Sequence, residues 1–140
     1  MAKYKYETLT DDEDDLEIAD QLHYREVEHR NYMRNANAFK ALLDAMAPLK
    51  LPDQWPDELK QYKNMTRDQV IAAIEDEATE TLVLNLLQRK MLRERWRAEL
   101  HEAGKIESYM AQVKSMLPAK KADRDVILAN AKTRRDAKGG

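Results

Sequence analysis

The chain has 140 residues, 43% hydrophobic and 36% charged, with three glycines, four prolines, no cysteine and a formal net charge of −2. This length suits one modest core, and the composition lies far from disorder and close to the helix-rich class. Lack of cysteine excludes disulfides, thiolate metal centres and cysteine nucleophiles, and without an apolar run of about 18 residues no membrane span is expected.

Residues 1–10 read as an extended arm, because Lys3 to Thr8 alternate so that Tyr4 and Tyr6 share a side. Thr10, Asp11, Asp12 and Glu13 have the form of a capping box, and the acidic run behind them suits the positive end of a helix dipole. A long helix is therefore predicted over 11–46. Along it, Leu22, His29, Ala36 and Leu43, and likewise Ile18, Arg25, Tyr32, Phe39 and Met46, recur every seventh residue. Asn35 and Asn37 are its poorest helix formers.

Pro48, Pro52 and Pro56 forbid continuation, so 47–66 reads as a connection. Inside it, Pro56, Asp57 and Glu58 open a short helix ending near Lys63, with Trp55, Leu59 and Tyr62 to pack it. Thr66 to Gln69 form a second capping box and predict a helix over 67–103, with Gly104 as its terminator. A rod continuous through Gly104 is the alternative. The stretch Leu82, Val83, Leu84, Leu86, Leu87 is apolar nearly all round and needs cover on more than one side. Ile106, Tyr109, Met110, Val113, Met116 and Leu117 mark a helix over 105–117. After Pro118, Val126, Ile127 and Leu128 mark another over 122–137. The expected fold is all-α and bundle-like in one domain over 1–140: a long antiparallel hairpin of two helices of about 35 residues, with one or two shorter C-terminal helices.

Charge is distributed unevenly. Residues 1–20 hold two basic against eight acidic side chains, and residues 111–140 hold eight basic against three acidic. If the long helices meet where one ends near Met46 and the other begins near Arg67, facing residues have numbers that sum to about 113. That register sets Asp12 to Asp20 beside Arg93, Arg95 and Arg97, and Arg30, Arg34 and Lys40 beside Glu75 to Glu80, so the basic residues of the second helix are consumed by pairing. It also sets Arg25 and His29 opposite Asn85 and Gln88, as a polar layer that fixes register.

Chemical motifs are sparse. Glu26 and His29 share a helix face, as a carboxylate and histidine do in di-iron bundles, but a ferritin-like site needs a second such pair, and His101 has Ala98 three residues before it. Arg95 and His101, with five residues between them, resemble the motif of HEPN-type ribonucleases over seven residues, with Trp96 where that family usually has a polar side chain. The resemblance implies RNA cleavage by the arginine and histidine across a dimer. No Ser-His-Asp set or glycine-rich phosphate loop is visible.

The leading expectation is a non-enzymatic helical interaction or assembly module, with a composition of the kind frequent in phages and mobile elements, cytoplasmic or within a virion, with no cofactor and no metal. Its partner is another protein or a second copy of itself, met through Leu82, Leu86, Tyr109, Met110 and Val113, with the N-terminal arm adding to the partner's surface. The alternatives are a nucleic-acid-binding module using Lys132, Arg134, Arg135 and Lys138, and a helical enzyme with carboxylate-histidine metal or ribonuclease chemistry.

Overall fold

The computed structural model describes residues 15–139. The arm at 1–10 and the first capping box lie outside the described residues. Four α-helices follow in order: α1 (Asp15–Asp44), α2 (Arg67–Ala73), α3 (Glu77–Ser115) and α4 (Lys121–Gly139). Short 3₁₀ segments at Ala47–Leu49 and Asp57–Tyr62 occupy the proline-rich connection. The fold is all-α, a long helical hairpin with a shorter C-terminal helix, and among the described residues there is no strand.

Helix α1 runs unbroken through Asn35 and Asn37. Its inward stripe is the one the seven-residue spacing marks: Ile18, Leu22 and Ala36 are buried, and Tyr32, Phe39 and Leu43 are half-buried. The second capping box forms as expected, with Gln69 N–H donating to Thr66 Oγ1 and the Thr66 N–H donating to Gln69 Oε1. The helix it opens does not run to 103. It stops at Ala73, where Ile74 turns extended (φ −112°, ψ 120°). A new helix then starts behind Asp76, whose Oδ2 accepts from the Thr79 N–H at 2.8 Å and the Thr79 hydroxyl at 2.6 Å. These bonds, led by the hydroxyl, hold the Asp76 carboxyl below the usual carboxylate range.

From Glu77 the helix continues for 39 residues, straight through Gly104, so the segment expected as a separate helix over 105–117 is the end of α3. Gly104 has nothing within 4 Å of the position a Cβ would take, and it needs no special backbone conformation. A glycine inside a helix costs about 1 kcal/mol relative to alanine, too little to end a helix whose two sides both bury apolar residues.

The chain divides into two compact units, one formed by residues up to Met33 together with Leu100 onward, the other by Arg34–Glu99. In the first unit, Ile18 and Leu22 of α1 close against Tyr109, Val113 and Leu117, with Ile127 and Leu128 of α4 and with Met110 and Met116 packed on the cluster. In the second, Val83 and Leu86 of α3 meet Leu59, Val70 and Ile74. Leu51, Trp55, Tyr62 and Met65 of the connection add to that cluster. The apolar stretch at 82–87 is thus covered chiefly by the connection and α2, which come back along the helix that follows them.

Helix pairing within each unit follows one rule. His29 faces Glu107 in the first, while Asn35 faces Glu99 and Lys40 lies over the Trp96 ring in the second. Facing numbers therefore sum to about 135, not about 113, which is antiparallel but displaced by about six helical turns. The break at Ile74, which delays the start of α3 to Glu77, is the smaller part of the cause; the larger is that the connection and α2 pack along the first turns of α3, so that α1 ends opposite a point well inside that helix.

Candidate binding surface on helix α3

The displaced register gives the described charges other partners than those the sequence suggested, while Asp12 to Asp14 lie outside the described residues. Asp20 is taken by α4: Arg134 Nη2 donates to one carboxylate oxygen at 2.8 Å and Arg135 Nη1 to the other at 2.7 Å. Burial alone raises the Asp20 pKa, but the two guanidiniums, by hydrogen bond and by charge, outweigh it and hold the carboxyl below its ordinary value. Lys40 bonds Asp44 within its own helix at 2.9 Å. Arg25 pairs with Glu28 at 3.4 Å, and His29 Nε2 lies 2.7 Å from Glu107 Oε1. Arg25 and His29 thus find their partners at Glu28 and Glu107, and not in a polar layer with Asn85 and Gln88.

The five residues expected to meet a partner are mostly inside. Leu86 (0% exposed) is fully buried in the second unit, and Tyr109 and Val113 are buried in the first. Leu82 and Met110 are half-buried against the same cores. They do not form a surface stripe, because the segments that cover them belong to this chain. On α4, Lys132 bonds Asp136 at 2.9 Å and Arg134 and Arg135 bond Asp20, leaving Lys138 exposed beside a small depression with Asp20 and Tyr24. Of the four cations proposed for nucleic acid, three already face carboxylates. Glu26, Arg95 and His101 are exposed, and among the described residues no three histidine, aspartate or glutamate side chains gather as metal ligands do.

The sequence reading missed two neighbouring hollows on α3 in the second unit. The first, a groove of about 420 Å³, is lined by Leu84, Leu87 and Met91 of α3 and by Met65, with Lys63, Arg67, Lys90 and Glu94 around it. Leu84, Leu87 and Met91 stand at i, i+3 and i+7, one face of a helix, and Met91 is 37% exposed. The second, a cleft of about 460 Å³, is lined by Trp55, Leu86 and six cations, Lys60, Lys63, Arg89, Lys90, Arg93 and Arg97, against the acids Asp53 and Glu94. Arg89 is buried and donates from Nη2 to the Pro52 carbonyl at 2.6 Å, which ties α3 to the connection. Burial, and then the adjacent Arg93 charge, lower the Arg89 pKa, with Asp53 opposing; an arginine remains charged all the same.

Spacing could have revealed both hollows. Leu84, Leu87 and Met91 are legible as a helical stripe, and Arg89, Arg93 and Arg97 as a ladder four residues apart. Leu84 and Leu87 sit in a stretch that is apolar nearly all round, which hides the stripe, and the register that sums to about 113 pairs the arginines with the acidic start of the first helix.

No family model, no curated protein and no solved structure matches the chain. Among the described residues, no helix is long and apolar enough to cross a membrane.

Proposed function

We propose that the protein is a non-enzymatic helical assembly module, and that its α3 groove receives the acidic N-terminal segment of a second copy. The observation that carries this reading is the groove itself: an apolar floor of Met65, Leu84, Leu87 and Met91 left open beside Lys63, Arg67 and Lys90. Amphipathic segments dock in such grooves by i, i+3 and i+7 anchors, with charge at the rim fixing orientation. Two grooves laid face to face would oppose their own cations, so a like-to-like contact is disfavoured. The chain itself carries the complementary chemistry, since Tyr4, Tyr6 and Leu9 stand next to Glu7, Asp11, Asp12, Glu13 and Asp14.

Mass in solution tests it. Light scattering over a range of concentrations should show an oligomer in the wild-type chain, reduced to monomer in the Met91→Glu, Arg67→Glu variant. Both substituted residues are exposed, so circular dichroism should report unchanged helix. A labelled peptide of residues 1–14 should bind the full chain and lose that binding in the same variant. A wild-type chain that is monomeric throughout rules out assembly; an oligomer that ignores both the variant and the peptide rules out the groove.

A further inference from the structure

The cleft next to that groove is built differently, and its chemistry is that of an anion site. Arg89, Arg93 and Arg97 lie on one face of α3, with a rise of about 6 Å from each to the next. Arg89 is spent on the Pro52 carbonyl and forms the fixed end of this ladder. Lys60 bonds Asp57 at 2.8 Å and Lys90 bonds Glu94 at 3.2 Å. That leaves Lys63, Arg93 and Arg97 without an ion-pair partner among the described residues, in a chain with more acidic than basic side chains. Six cations against two carboxylates leave an excess of like charge that opposes folding, and a fold keeps such a cluster at little benefit unless something anionic enters it.

We infer that this cleft binds single-stranded nucleic acid, with backbone phosphates on Lys63, Arg93 and Arg97 and a base against the indole of Trp55. Guanidinium forks match phosphate oxygens two at a time. An acidic peptide would satisfy the cations equally well, but the indole among them favours a strand: aromatic faces interleaved with cations are how such proteins hold unpaired bases. Duplex bases are stacked and present no face to an indole, so a single strand is the preferred form. The cleft shares Lys63, Lys90 and Glu94 with the assembly groove, but Arg93, Arg97 and Trp55 line the cleft and not the groove.

The test uses the full chain and a labelled oligouridylate of about 12 nucleotides, followed by fluorescence anisotropy from about 50 mM salt upward. Three phosphate contacts predict a log–log salt slope of about −2, from about −0.7 per contact on a single strand. The Arg93→Gln, Arg97→Gln variant should bind at least about tenfold more weakly, with the slope falling toward about −0.7. Trp55 and Trp96 are the two tryptophans of the chain, so in a Trp96→Phe background the emission of Trp55 should be quenched as the strand binds. Four results overturn the proposal: no saturable binding at about 50 mM salt, equal affinity for polyglutamate, the same affinity in the double-arginine variant, or strand binding that leaves Trp55 emission unchanged. Because the variants that abolish assembly are others, a monomeric protein that still binds the strand separates this inference from the assembly reading.

Discussion

The two units of the chain treat charge in opposite ways. In the unit that contains α4, Asp20 satisfies two arginines at once, His29 meets Glu107 and Lys132 meets Asp136. These cations are parts of its structure. In the unit that contains the connection, two arginines and a lysine share a cleft with no carboxylate bonded to them, and an apolar stripe lies open next to it. Structural charge is recognised by its partner, and a binding surface by the lack of one. The difference is invisible in composition, since both units are rich in arginine, and it follows from where the helices pair.

The largest effect expected from this contrast is at Asp20. Asp20→Ala removes the two charge-assisted hydrogen bonds that Arg134 and Arg135 make in a partly buried place, at a cost of about 2 kcal/mol. The pH dependence has a definite sign. The folded-state pKa of Asp20 lies below its unfolded value, so its stabilisation is complete above about pH 4 and is lost as pH falls through the depressed folded value. Thermal unfolding of wild type and variant should therefore differ near neutrality and converge in acid. A constant difference at all pH values would show that the ion pairs contribute nothing and that the variant suffers from lost packing.

How far the sequence could be read is clear at Ile74 and Gly104. The all-α class, the inward stripe of α1, the Thr66–Gln69 box and the short helix beginning at Asp57 all follow from periodicity and capping chemistry, which are local. The break at Ile74 has neither proline nor glycine to announce it. Its one local mark is Asp76 with Thr79 three residues on, a cap hidden in a run of acidic side chains. Gly104 gave the contrary signal, a terminator that terminates nothing. The break at Ile74, together with the packing of the connection and α2 along the start of α3, displaces the register, and register decides which charges meet. That is why the fold was legible while the site was not: a fold survives a slide of two helices along each other, but a cluster of facing side chains does not.

Gly104 offers a smaller effect of the opposite sign. Nothing lies near the position its Cβ would take, so Gly104→Ala should stabilise the protein by about 0.5 to 1 kcal/mol through lower backbone entropy in the unfolded chain. Chemical denaturation measures it, and a destabilised variant would mean that α3 is not a regular helix at this point.

The smallest expected effect is the most discriminating. Arg93→Gln with Arg97→Gln removes two charges, just as a double replacement of Arg134 and Arg135 would, yet stability should change by no more than about 0.5 kcal/mol, on the favourable side if at all. The reason is that Arg93 lies close enough to Arg89 to depress its pKa, a like-charge contact that the substitution relieves. Denaturation midpoints of this variant and of Asp20→Ala, measured side by side, compare a charge kept for what it holds within the chain with one kept for what it meets outside. If the cleft arginines proved as costly to lose as Asp20, they would be structural, and the contrast between the two units would disappear with them.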